Sequence, residues 1–397
     1  MAGANKLLTA GGGGVILTPA SSIASDKTVQ IPAQDCTLAS TVDAAQYYGF
    51  KNRIINGAMQ IDQRNAGASV TLSNGADSFS VDRFKFYRNV GGTFTAQRST
   101  TVPAGFSNSL LITASTGASP TAAQYNFFKQ DIEGVNVADL GWGTANAQPV
   151  TISFWARSSI VGSYGLSAAN NSIDRSYVAV YTINSANTWE YKTVTIPGDT
   201  SGTWATDTNA GLRVYFDLGA GTDSNATAGV WNASWKTRTS SCVIWGATTG
   251  ATFYITGVQL EKGSIASSFD YRPYGAELAL CQRYYQKSFD INTAPVNGTS
   301  TTFGTTNGLF GAIASNNEAQ GSFISFKVQM RAAPTITTYG NSSGYWGYIN
   351  YSVSTSTYNW TNFVLPGATG EYGFKVANSA IGALVTITGH WTATAEL

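Results

Sequence analysis

Residues 211–219 read GLRVYFDLG, and their alternation sets the class of fold. Leu212, Val214, Phe216 and Leu218 share one face of an extended chain, while Arg213, Tyr215 and Asp217 share the other. Successive side chains of a strand point to opposite sides, so one apolar and one polar face marks a half-buried strand. ISFWA at 152–156 repeats the pattern, with Ile152, Phe154 and Ala156 set against Ser153, Trp155 and Arg157. YVAVYTI (177–183) and WEYKTVTIP (189–197) continue it, with Gly, Asn, Asp and Ser turns between. Such strands and turns predict an all-β fold, with a jelly-roll β-sandwich over 51–272 rather than βαβ units.

The flanks differ from this pattern. Residues 1–50 hold a glycine run, Gly11–Gly14, then VILTPA at 15–20 and KTVQIPA at 27–33, separated by SSIASD. Strands this short cannot bury a face alone, and their prolines confine them to edges or strand ends. Three chains wrapped together would stabilise them, so 1–50 is expected to be a trimerising β-segment; a flexible linker is the alternative. AELALCQRYYQK predicts a helix over 275–287, with Leu278, Cys281 and Tyr285 at i, i+3, i+7 and Leu280 and Tyr284 beside them. It would connect, across 273–288, to a C-terminal β-sandwich over 289–397. There SFISFKVQMRAAPTITTYG (322–340) alternates up to Pro334. In the last strand Val385, Ile387, Trp391, Ala393 and Leu397 oppose Thr386, Thr388, His390, Thr392, Thr394 and Glu396. A patterned strand at the end implies that the terminus is built into the fold.

A length of 397 residues exceeds one compact β-domain and implies two or three units. Only 11% of residues are charged, less than half of the usual ~25%. Gly, Ser, Thr, Asn and Ala take up the difference, giving the neutral, hydroxyl-rich surface of extracellular β-proteins and viral appendages. With 23 basic and 22 acidic residues there is no electrostatic drive towards nucleic acid or an anionic membrane. Glycans and protein subunits are the expected partners. Cys36, Cys242 and Cys281 lie far apart without CxxC spacing, which argues for free thiols from a reducing compartment. No apolar run approaches the ~20 residues of a membrane span. MAGANKLLTAGGGG lacks the charged and apolar regions of a secretory signal, so release by lysis within a virion is expected.

Catalysis needs an acid, base or nucleophile held by partners. The one histidine, His390, has no serine or cysteine motif near it and reads as a surface or interface residue. Glycoside hydrolysis needs only two carboxylates and is the enzymatic alternative. Its candidates are Asp131, Glu133, Asp174, Glu190, Asp217 and Glu261. The expectation is no enzyme, no cofactor and no metal. Neutral sugars instead stack on aromatic rings while Asn, Gln, Asp and Arg bond their hydroxyls. Ten Trp and 20 Tyr supply such rings. Trp155 and Tyr215 fall opposite apolar faces, near Arg213 and Asp217; Trp189 and Tyr191 share a face; Trp231 and Trp235 lie among turns. A second candidate is the loop 339–363, where Tyr345, Trp346, Tyr348, Tyr351, Tyr358 and Trp360 stand among small polar residues. The competing reading is a hairpin whose aromatics hold three chains together.

IINGAMQID (54–62) resembles the opening strand of jelly-roll carbohydrate-binding modules. PVTISFWAR (149–157), TWEYKTVTIPG (188–198) and FYITGVQLEKG (253–263) resemble their later strands in order and spacing. The resemblance implies glycan binding. Such modules often hold a structural calcium, but Thr256 and Gly257 stand where an acidic pair is common. KNRIINGAMQIDQRNAG (51–67), SVDRFKFYR (80–88) and FDYRPYGAELALCQRYYQKS (269–288) resemble phage and prophage proteins that join such a jelly roll to a tail-fibre domain. GGVILTPASSIASDKTVQIPAQDCTLAST (13–41) resembles the short β-repeats ahead of tail-fibre heads. Together these imply a homotrimeric tail fibre or spike that attaches to host surface polysaccharide. Residues 1–50 would bind other virion proteins, and the C-terminal domain would form the tip. A decoration protein stabilising the particle is the alternative, and a polysaccharide-degrading tailspike a third.

Overall fold

The computed structural model describes residues 5–8, 14–17, 51–296, 310–314, 322–339, 348–353, 356–361, 364–376 and 385–397. The chain divides into two compact units, Met1–Tyr47 and Tyr48–Leu397. In the first, β1 (Asn5–Leu8) and β2 (Gly14–Leu17) pair antiparallel, with Asn5 opposite Leu17. β2 takes up the start of VILTPA; KTVQIPA and Cys36 lie outside the described residues.

The second unit begins with a β-sandwich. One sheet holds β4 (Ser78–Phe79), β5 (Lys85–Arg88), β8 (Asn126–Glu133), β10 (Gly162–Ala169), β11 (Ser176–Ile183), β13 (Ala210–Asp217) and β14 (Trp231–Asn232). Their order across it is β14-β11-β10-β13-β8-β5-β4. The other holds β3 (Val70–Thr71), β6 (Thr93–Ser99), β7 (Ser109–Thr116), β9 (Val150–Ser158), β12 (Glu190–Ile196) and β15 (Thr252–Lys262). Its order is β12-β9-β15-β7-β6-β3. From β7 onward most connections change sheet, as a jelly-roll path requires. Phe128 and Phe216 of one sheet stack at 4.8 Å, and Phe154 of the other meets Phe216 edge-on at 5.3 Å. Leu212, Val214 and Leu218 join this core with Ile152 and Ala156, as their alternation predicts. Each such burial contributes roughly 1.5–3 kcal/mol for a large aliphatic or aromatic side chain.

IINGAMQID is not a strand: residues 54–62 bend, and the resemblance misplaces an element here. Asn56 adopts φ +60°, and its amide donates to the carbonyls of Ile61 and Asp82 while its oxygen accepts from the Ile61 N–H. The bend lies against β15, where the Val258 N–H donates to the Gly57 carbonyl.

The helix α1 spans Tyr274–Gln282, shorter than the predicted 275–287. Its continuation is recruited instead as β16 (Tyr285–Lys287), which pairs with β24 (Val385–Thr394). Cys281 and Tyr284 pack against Ile55 and Ile61, so the helix packs against the bend. β24 also pairs with β17 (Phe310–Ala314), β19 (Thr335–Tyr339) and β20 (Tyr348–Val353), and β20 with β21 (Ser356–Thr361). β18 (Ser322–Ser325), β22 (Val364–Gly370) and β23 (Gly373–Val376) form a separate sheet. Tyr348 and Trp360 thus stand in a β20–β21 hairpin rather than a loop, whereas Tyr345 and Trp346 lie outside the described residues. Among the described residues no helix is long and apolar enough to cross a membrane. Cys242 and Cys281 are free and buried.

Candidate functional site

The first groove lies on the seven-stranded sheet, on the face turned away from the core. Strand register builds it: Tyr87 of β5 lies opposite Phe127 of β8, and Lys85 lies opposite Lys129. Lys129 in turn faces Tyr215 of β13, and Asp131 faces Arg213. Tyr125, just before β8, and Trp235, after β14, complete the set. Tyr87, Tyr125 and Phe127 have near-parallel rings, with centroids 5.5–6.1 Å apart and planes inclined by 20–30°. Tyr215 and Trp235 meet Phe127 edge-on, at 5.0 and 5.7 Å. These rings, with Asp77, Lys85, Lys129, Ile173 and Arg213, line a groove of about 270 Å³. Phe127 and Tyr215 are buried beneath it; Tyr87, Tyr125 and Trp235 are half-buried and keep part of their surface open.

Its charges form a chain. Lys129 Nζ donates to both oxygens of Asp131, at 2.9 and 2.7 Å, and Lys85 Nζ donates to Asp77 at 3.1 Å. Burial lowers the Lys129 ammonium to about 8; Asp131 opposes the shift, and Lys85 and Arg213 reinforce it. Arg213 Nη2 donates to Asn171 Oδ1 at 2.8 Å.

Asp217 does not belong to the groove, although it shares a strand face with Arg213 and Tyr215. It is 1% exposed, covered by Arg238 with Nη1 3.5 Å from Oδ2. Burial raises its carboxyl to about 7 against the pull of Arg238. Arg238 arrives on the segment after β14 and is itself held by the carbonyls of Ala220 and Cys242. Strand periodicity carries no trace of such a crossing.

A second groove, of about 280 Å³, lies on the outer face of the six-stranded sheet. Trp155 of β9 faces Tyr191 of β12 in register, with centroids 5.4 Å apart. Phe106, Phe269 and Tyr271 close it, and the Tyr271 hydroxyl donates to the Gly105 carbonyl at 2.6 Å. Gly257 has φ +63°, and a Cβ there would lie 2.6 Å from Phe106 Cζ. Glycine at this position therefore seats the Phe106 ring. Tyr191 and Tyr271 are 45% and 55% exposed. Trp189 falls outside the groove and packs edge-on against Tyr254 at 6.1 Å.

The candidates read from sequence thus divide between two faces: Arg213 and Tyr215 on one sheet, Trp155 and Tyr191 on the other. Trp235, read among the turn-region rings, joins the first groove; Tyr87, Tyr125, Phe127 and Lys129 were missed there, and Phe106, Phe269 and Tyr271 in the second. Residues 125–131 alternate, but aromatics occupy both faces there, Phe127 on one and Phe128 on the other. Period two alone does not say which face is the core.

Four of the candidate carboxylates are taken up by hydrogen bonds. Glu133 accepts from Arg283 Nε and Nη2, at 2.7 and 2.8 Å, and from the Tyr284 hydroxyl. Glu190 is held down to about 2: burial works against this, but Lys192, Ser185 and Asn184 donate to it. Glu261 accepts from Ser267 and Gln259, and Asp174 from Asn170. His390 is fully buried, not a surface residue as its strand face predicts, because Phe289 stacks on it at 4.0 Å. Among the described residues no group of three or more His, Cys, Asp or Glu is arranged to hold a metal ion.

No family model matches the chain, and no curated protein matches it. Solved structures align with about half of it. The enzymatically active domain of tailspike protein 4 of bacteriophage CBA120 is 12% identical over 53% of this chain and 21% of that one, with a TM-score of 0.27. This chain therefore spans about a fifth of the tailspike structure's length. A family 11 carbohydrate-binding module from Clostridium thermocellum, in complex with a β-1,3-1,4-mixed-linked tetrasaccharide, is 16% identical over 50% of this chain and 98% of that one, TM-score 0.25. A CBM22-1 xylan-binding domain from Paenibacillus barcinonensis Xyn10C is 11% identical over 51% of this chain and 99% of that one, TM-score 0.23.

Proposed function

We propose that this chain is a non-catalytic glycan-binding protein of a phage particle, a tail fibre or spike that attaches to host surface polysaccharide through the groove on the seven-stranded sheet. The supporting observation is the arrangement of its rings. Tyr87 and Tyr125 lie near-parallel to Phe127 with part of their surface open, and Trp235 stands across them. A pyranose has an apolar face that stacks on such rings and an equatorial rim of hydroxyls, which Asp77, Lys85 and Arg213 are placed to bond. The groove lies near the lower end of the ~300–1,000 Å³ range of ligand pockets, a size for one or two sugar rings. Trp155 and Tyr191 offer a second platform on the opposite face. The particle assignment draws on the low charge of the chain and its resemblances at 13–41, 51–67 and 269–288.

Affinity electrophoresis in gels containing host polysaccharide tests the reading. Tyr125→Ala and Trp235→Ala should each weaken retardation about fivefold, since one stacked ring is worth on the order of 1 kcal/mol. Trp155→Ala should act separately, weakening only the component that survives those two changes. Retardation unchanged in all three variants would remove the grooves from the account. Reducing sugar released from the same polysaccharide would overturn the non-catalytic part.

A further inference from the structure

The cations of the first groove are not equally paired. Lys85 and Lys129 face one another directly across β5 and β8, an arrangement that repels. Asp131 relieves it, 2.7 Å from Lys129 Nζ and 3.9 Å from Lys85 Nζ. Asp77, 3.1 Å away, and the Leu397 main-chain oxygen, 2.7 Å away, take the other side of Lys85. Both lysines therefore have a carboxylate within ion-pair distance, and Arg213 has none among the described residues. Its Nη2 donates to the neutral amide of Asn171, and the neutral Tyr215 hydroxyl lies beside the guanidinium. Its Nε is shut off from water without a hydrogen-bond partner. A guanidinium offers five donors in a planar fork, most of which a neutral amide oxygen leaves unused.

Resting on the glycan-binding reading above, we infer that the groove selects acidic sugars, placing the carboxylate of a uronic acid against Arg213 while the ring stacks beside Tyr125 and Trp235. A carboxylate matches the guanidinium fork in shape and gives it the ionic partner it lacks. It does so beside an aromatic wall, where water screens the pair less than at an open surface. A neutral hexose would leave that charge uncompensated. The depressed ammonium of Lys129 has the same sense, since Arg213 and Lys85 add to the positive field around it.

The test is calorimetric titration of the full-length protein with oligosaccharides in matched pairs: galacturonate against galactose, glucuronate against glucose, mannuronate against mannose. In at least one pair the acidic member should bind about tenfold tighter or more, as expected for a hydrogen bond between charged groups. Raising the salt should narrow that gap. Arg213→Gln should abolish the gap, because it weakens the acidic member of the pair by about tenfold more than the neutral one, and Arg213→Lys should restore only part of it. Neutral members binding as well as acidic ones would overturn the inference and leave the glycan reading standing. An acidic preference that survives Arg213→Gln would also overturn it, as an effect of net charge alone. No binding by any member of any pair would overturn both.

Discussion

A histidine inside a β-sheet is a small pH device whatever its role. His390 offers Nδ1 to the Ser288 hydroxyl at 3.1 Å, its ring lies on Phe289, and burial pushes its pKa down to about 4, opposed by Asp290. The unfolded chain protonates the same ring near 6.5. Between these values the unfolded state binds a proton that the folded state refuses, so stability falls as pH drops from about 6.5 towards 4. The share at stake is roughly 3 kcal/mol at most. Denaturant unfolding at pH 7, 5.5 and 4 should show His390→Gln losing less stability over this range than the parent chain. Parallel losses would mean the ring is protonated in the fold. The sequence places His390 among threonines on a strand's polar face and so at the surface or an interface. Phe289 comes from another segment, and alternation within one strand does not report what covers it.

At the scale of elements, the legible part was the side each residue takes, and the illegible part was which strands adjoin. Leu212 to Leu218 reached the core because period two is a property of the strand itself. Tyr87, Phe127 and Tyr215 share a groove because β5, β8 and β13 are neighbours, with about 130 residues separating the first from the last in the chain. The bend at 54–62 teaches the same lesson in reverse. The resemblance reads IINGAMQID as a strand, whereas Gly57 serves a close backbone approach: a Cβ there would lie 2.1 Å from the Val258 carbonyl oxygen. That neighbour is main chain and cannot swing aside. Gly57→Ala should therefore cost about 2–4 kcal/mol, read as a lower denaturation midpoint with an unchanged slope. Gly75→Ala is a useful contrast, because its Cβ would meet nothing within 4 Å and only its φ of +77° is strained. A milder loss is expected there, on the order of 1 kcal/mol. Equal losses would show that the bend gives way and the contact with Val258 is relieved. Glu133 anchors β8 to the segment after α1 through Arg283 and Tyr284. Glu133→Gln should destabilise the fold by about 2 kcal/mol, since it removes the charge of a fully buried carboxylate whose donors are the half-buried Arg283 and the Tyr284 hydroxyl.

For the whole molecule, the two grooves lie on opposite faces of one sandwich, so a single long saccharide cannot stack along both without rounding an edge. Strength must come from repetition. A groove for one or two sugar rings binds weakly, and linking three copies raises avidity by about 10²–10⁴ without a new contact. The fibre proposal therefore requires more than one chain in solution, and the unit Met1–Tyr47, with its β1–β2 pair, is the segment proposed to join them. Light scattering on a sizing column should give three times the chain mass of 41.8 kDa. The same preparation should leave a polysaccharide-coated surface far more slowly than it releases a soluble oligosaccharide, and the Tyr48–Leu397 unit alone should lose that difference while keeping the oligosaccharide affinity. A monomer with the same slow release would place the avidity in the two faces of one chain, bridging neighbouring strands of the polysaccharide. A monomer that releases quickly would leave assembly to the particle, whose symmetry would then set the spacing of the grooves.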